Sequence, residues 1–232
     1  MVRIIDEHLN IVVEKISKLF DMTTNAFEEA LIAFETDNRK KALKITKNDA
    51  KINEMEEEIN EDTIRVITLQ APVASDLRLL IASLKIAGQL ERIADYTVNI
   101  ADHVLIGEEE DETTTAVDKN ISEMIKYVVE MLRVAKTAYL DQDIYLAKQV
   151  IDMDNNLDKI YTKSINKLAK TVGDTMDGEE LPEANLNSVL MVKYMERAGD
   201  HVTNIAEQIF YLVKGRNYDI HHVSTLFDNG ED

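Results

Sequence analysis

One acidic segment occurs twice in this chain, and that constrains the fold more than any other feature. ERIADYTVNIAD runs from Glu91 to Asp102, and ERAGDHVTNIAE runs from Glu196 to Glu207. The two agree at the Glu, Arg, Asp, Asn, Ile and Ala positions and both end on an acid, at a constant spacing of 105 residues. The same offset carries Ala33-Phe34 to Ala138-Tyr139, Ala42 to Ala147, Ile45 to Val150, Asp49 to Asp154 and Ile52 to Leu157. A register kept this long implies duplication of a whole folding unit, and two copies are too few for a solenoid.

Each unit reads as three helices. Ile5, Leu9, Val12, Ile16, Leu19, Thr23, Ala26, Ala30 and Phe34 trace one face at helical spacing, and ETDNRK breaks it. A second seam runs through Ala42, Ile45, Asp49, Ile52, Glu56, Ile59, Thr63 and Val66. Pro72 suits the start of a third helix, with Ser75 or Asp76 available to cap it. With only 7 Gly and 2 Pro there is little else to interrupt helices. The fold expected is all-α, six long helices arranged as two tandem three-helix bundles. The boundaries expected are residues 1–107 for the first unit, an acidic linker at 108–118, residues 119–215 for the second unit, and an irregular tail at 216–232.

Within the repeated segment the acids share one stripe. At about 100° per residue, Glu91, Asp95, Asn99 and Asp102 fall within about 80° of one another, as do Glu196, Asp200, Asn204 and Glu207. Asp49 and Asp154 stand on the otherwise apolar seam of the second helix in each unit. A buried carboxylate without a partner loses its hydration, so something must offset that cost. The acids can stay at the bundle edge, solvated or paired with Arg92, Arg197 or Lys85. The sharper alternatives are that they serve as hard oxygen ligands for cations such as Mg, Mn or Fe, or dock a partner.

Several chemistries are excluded. The five histidines include none placed three residues after a Glu, as a ferritin-type di-iron site needs. HExxH, phosphate-loop and dinucleotide glycine patterns are absent, as is any nucleophile–base constellation, so an enzyme is not expected. A net charge of −18 disfavours nucleic acid and anionic membrane. No cysteine is present for disulfides or thiolate sites. No apolar run is long enough for a membrane span, and the charged first residues do not suit a signal peptide, so a soluble intracellular protein is expected.

The stretch QAPVASDLR followed by ERIADYTVNIA, together with ERAGDHVTNIAEQIFYLVKG, resembles the PhoU family of phosphate-transport regulators over residues 1 to 215. The resemblance implies a cytoplasmic, often dimeric regulator of phosphate homeostasis that is neither membrane-inserted nor nucleic-acid-binding. Its implied partners are the cytoplasmic part of a phosphate ABC transporter and the sensor histidine kinase of the phosphate regulon. Its role would be to restrain import and the starvation response when phosphate is plentiful. The resemblance also implies multinuclear metal binding (Fe, Mn, Zn or Mg) by Glu91 and Asp95 and by Glu196 and Asp200. Asp49 and Asp154 would assist, with Asn99 and Asn204 as neutral oxygen ligands. A metal-free helical adaptor and a metal-buffering protein are the other readings. The second unit lacks the Asp76-Leu77-Arg78 triplet, and LPEANLNSV stands in its place.

Overall fold

The computed structural model describes residues 3–107, 112–174 and 183–216. It contains six helices: α1 Ile4–Glu35, α2 Arg39–Gln70, α3 Ala74–Ile106, α4 Glu112–Asp141, α5 Ile144–Asp174 and α6 Glu183–Lys214. At 32 residues α1 is about 48 Å long. Among the described residues there is no strand.

The duplication is legible in the turns. Asp37 and Gln142, equivalent positions, both take a positive φ, of 46° and 51°. The next residue caps the following helix in both copies: the Asn38 side chain accepts from the Lys41 N–H, and Asp143 accepts from Tyr145 and Leu146. Ala71, also at positive φ, ends α2 just before Pro72. The start of α3 differs from expectation. Its N-cap is Val73, with no side-chain cap bond. Asp76 instead lies buried in the first turn, where it accepts from Arg3 at 3.0 Å and ties the start of α1 to that of α3.

In each unit the three helices pack against one another, and the units then join through α1 against α4 and α3 against α6. A single apolar cluster draws residues from all six helices, so the two repeats share one core. Tyr139 of α4 is buried there, with its ring 6.3 Å from Phe20 of α1 and its hydroxyl 2.8 Å from the Ser83 Oγ of α3. Burial pushes its phenol up to about 12.

Among the described residues the α1–α4 seam carries three ion pairs, Asp21–Lys136, Glu28–Arg133 and Glu35–Lys126. The helices therefore run antiparallel, with every acid on α1 and every base on α4. Glu28 and Arg133 are equivalent residues of the two repeats. Tyr96 and His201, also equivalent, stack 6.0 Å apart across α3 and α6. A local two-fold axis thus passes through both contacts, perpendicular to the helices. Identical repeats would set like charges face to face on that axis, and replacing Glu by Arg in one copy turns repulsion into attraction.

Two boundaries shift. α4 begins at Glu112, inside the span expected as linker (108–118). α6 continues to Lys214, close to the expected end of the second unit at 215. The tail expected at 216–232 lies outside the described residues apart from residue 216.

Candidate functional site

The seam of α2 buries Ala42, Ile45, Ile52, Ile59, Thr63 and Val66. Asp49 and Glu56 occupy the same seam and are half-buried, facing α3. Opposite them on α3 stand Glu91, half-buried, and Asp95, exposed. The four carboxylates feel one another. Burial raises Glu91 above the usual range, and the charges of Asp95, Glu56 and Asp49 add to this while Arg92 opposes it. Asp95 is raised by burial and by Asp49. Asp49 is raised by burial, partly offset by the Asn53 side chain. One oxygen of Asp49 and the amide oxygen of Asn53 are fully buried without a hydrogen-bond partner.

The second unit builds its own group from α5 and α6, and packs it more tightly. Asp154 is pushed up to about 7 by burial first, then by Asp158, Asp200 and Glu196. Asp158 is raised by burial and by Glu196, against Lys193. Asp200 is raised by burial, Glu196 and Asp158, against Lys193 and Arg197. Gly199 makes the tighter packing possible. A Cβ there would stand 2.4 Å from Leu157 Cδ2 and 2.7 Å from an Asp154 carboxylate oxygen. The equivalent residue in α3 is Ala94, which already carries that methyl group.

Among the described residues, Glu196 is held by Lys193 at 2.7 Å, and no ion pair joins Asp49, Glu91, Asp95, Asp154 or Asp200 to a base. Pairing with Arg92, Arg197 or Lys85, one of the alternatives open from the sequence, does not form among the described residues. Lys85 instead lies over the Tyr211 ring, 5.7 Å from its centre. Nor, among the described residues, do three His, Asp or Glu side chains converge closely enough in these rotamers to hold an ion. The donor chemistry nonetheless suits a hard cation: clustered carboxylates with raised pKa values and a buried oxygen left unbonded.

The structure therefore brings Asp49, Glu91 and Asp95 together in one group, and Asp154, Glu196 and Asp200 in the other. Asn99 is half-buried one turn beyond Asp95. The Asn204 amide turns towards the other repeat and donates to Gln89 Oε1 at 3.5 Å. Two acids were not anticipated as members, Glu56 and Asp158. Glu56 was visible as a second acid on the apolar α2 seam, two turns after Asp49, and Asp158 follows Asp154 by one turn. Their equivalents in the other repeat are Tyr161 and Asn53, so comparing the copies position by position hides both.

A family model described as the PhoU domain matches residues 16–104 and again 121–209, which restates the duplication at the same offset. The chain is 28% identical over 212 residues to the phosphate-specific transport system accessory protein PhoU homolog 1 of Thermotoga maritima, covering 91% of this chain and 90% of that protein. It is 30% identical over 222 residues to the PhoU homolog of Clostridium acetobutylicum, covering 94% and 98%. Among solved structures, PhoU from Pseudomonas aeruginosa superposes with a TM-score of 0.81 at 28% identity, covering 91% of this chain and 99% of that one. The phosphate transport system regulatory protein PhoU from Streptococcus pneumoniae, at 24% identity and a TM-score of 0.82, shares the fold over 93% of this chain and 99% of its own.

Proposed function

Because this chain belongs to the PhoU family, we propose that it is a cytoplasmic regulator of phosphate uptake and of the phosphate-starvation response, working by metal-dependent contact with other proteins. The observation that carries this is the acid group in each repeat, with Asp49, Glu91, Asp95, Asp154 and Asp200 in no ion pair among the described residues, in a chain whose relatives are accessory proteins of phosphate transport. Asp49, Glu56, Glu91 and Asp95 would hold cations in the first repeat. Asp154, Asp158, Glu196 and Asp200 would do so in the second. The bound charge would neutralise carboxylates that now repel one another, so each site would clamp α2 to α3 or α5 to α6.

The partners we assign are the cytoplasmic part of a phosphate ABC transporter and a sensor histidine kinase, met by the protein as a homodimer. Among the described residues no helix is long and apolar enough to cross a membrane, so contact with the transporter is by docking. Catalysis has no part in this reading. The acidic surface would steer it towards basic patches, with a salt-sensitive association rate.

The test is co-sedimentation with membranes bearing the phosphate transporter, using metal-loaded protein, chelator-treated protein and the Asp95→Asn/Asp200→Asn variant. Metal-loaded protein should sediment, and the other two should stay largely in solution. Equal sedimentation of all three would favour the metal-free adaptor. Tight metal loading with no sedimentation at all would favour metal buffering.

A further inference from the structure

Between the two acid groups, on the local two-fold axis, lies a surface of opposite character. α3 and α6 cross antiparallel there, with Gln89 facing His201 and Asn204, and Tyr96 facing Tyr194 and His201. The Tyr96 and His201 rings stack at 6.0 Å, and both are half-buried. Arg92 and Arg197, exposed and equivalent in the two repeats, stand one turn before Tyr96 and His201. Arg197 contacts the Tyr96 hydroxyl, and the charge of Arg92 reaches His201. Neither guanidinium forms an ion pair among the described residues, although the chain carries 44 Asp and Glu against 26 Lys and Arg.

Gln89–His201 and Tyr96–Tyr194 are the same contact in the two repeats, so the crossing is centred at Arg92 on α3 and Arg197 on α6. Two forked donors on facing helices about one axis suit a tetrahedral oxyanion, which guanidinium groups grip through paired N–H bonds. The histidine adds discrimination. Its Nδ1 lies 2.6 Å from Gln89 Oε1, an acceptor, so Nδ1 carries the proton and Nε2 is left as an acceptor. An acceptor among donors matches an anion that still holds one proton.

We propose that Arg92 and Arg197, with Tyr96 and His201, bind one small protonated oxyanion of the hydrogen-phosphate class. Its physiological meaning rests on the regulatory reading above, whereas the binding itself requires neither a transporter nor a bound metal. Asp95 and Asp200 are near enough to act on Tyr96, so they oppose the anion until neutralised.

The experiment is calorimetric titration of the chelator-treated full chain with inorganic phosphate and with sulfate at equal ionic strength. One phosphate per chain is expected, bound about tenfold more tightly than sulfate, which lacks the proton that Nε2 accepts. Arg92→Gln/Arg197→Gln should weaken phosphate by about tenfold or more, and Lys159→Gln/Lys163→Gln, on the far edge of α5, should leave it unchanged. His201→Phe keeps a ring against Tyr96, and should erase the preference for phosphate over sulfate. Asp95→Asn/Asp200→Asn should tighten binding. If the glutamine pair loses its helical circular dichroism, Arg92→Lys/Arg197→Lys replaces it and should still weaken phosphate several-fold, since lysine lacks the fork. Absence of binding to chelated protein, or binding indifferent to the arginines, would overturn the proposal. So would phosphate that binds only with metal and is lost in Asp95→Asn/Asp200→Asn, because the anion would then sit on the metal. Phosphate binding as expected, beside failed co-sedimentation, would leave this site standing and the regulatory reading refuted.

Discussion

The two repeats carry their acids on matching helices and treat them differently. In the first, Ala94 carries a methyl group at the equivalent place on α3, and burial raises Asp49, partly offset by Asn53. In the second, Gly199 lets α5 close onto α6, and Asp154 is buried deeply enough to titrate at about 7. The Ala94 side-chain methyl, absent at Gly199, and the extra acid Asp158, where the first repeat has Asn53, thus separate the two clusters. Duplication supplies two copies of an acid group, and two substitutions are enough to give them different electrostatics.

The largest effect is expected where that methyl group is restored. Gly199→Ala must push Leu157 and Asp154 aside and should cost about 2 to 3 kcal/mol, a fall of roughly 5 to 10 °C in Tm. Ala94→Gly, the reverse change in the first repeat, should cost only about 1 kcal/mol, from helix propensity. Thermal melts of both variants decide this, and a harmless Gly199→Ala would mean that α5 does not pack as closely as described.

Next in size is the response of metal-free protein to pH. Asp154 is raised from 3.8, its ordinary value in an unfolded chain, to about 7 in the folded one, so the native state binds the proton more tightly. No penalty exists below the unfolded value. Stability falls as pH rises through the interval between the two, and the full cost is reached above the folded value. Asp154→Asn should therefore stabilise metal-free protein at pH 8 by about 1 to 2 kcal/mol, after allowance for solvent screening, and leave it nearly unchanged at pH 4. Asp49→Asn should act in the same direction and more weakly. Denaturant titrations at the two pH values measure both, and equal gains for the two variants would erase the contrast between repeats.

The smallest effect concerns how the repeats meet. Glu28 and Arg133 are more than a third exposed, so their coupling in a double-mutant cycle should be below about 1 kcal/mol and should fade at high salt. Reversing Glu28 to Arg should cost more than neutralising it, because like charges would then meet on the two-fold axis.

Much of this architecture was legible before any coordinates. The 105-residue offset set out both repeats, and the seam from Ala42 to Val66 put Asp49 on the otherwise apolar face of the second helix. Periodicity could do this because it reports which residues share a face of one helix. It could not report how helices of different repeats meet, so the α1–α4 ion pairs and the Tyr96–His201 stack were out of reach. Glu56 and Asp158 escaped for another reason: the copies have diverged at those positions, and an argument from equivalence discards what only one copy holds. The cap of α3 misled because Asp76 is a good capping residue by type, yet tertiary pairing with Arg3 claims its carboxylate.

The central claim is that each repeat holds its own oxygen-ligand metal site. Its most direct test is metal content by inductively coupled plasma mass spectrometry on tag-free protein, beside Asp95→Asn, Asp200→Asn and the double variant. Stoichiometric metal in the parent, partial loss in each single variant and complete loss in the double is the result predicted. No metal in the parent, even after incubation with Fe, Mn, Mg and Zn, would contradict it.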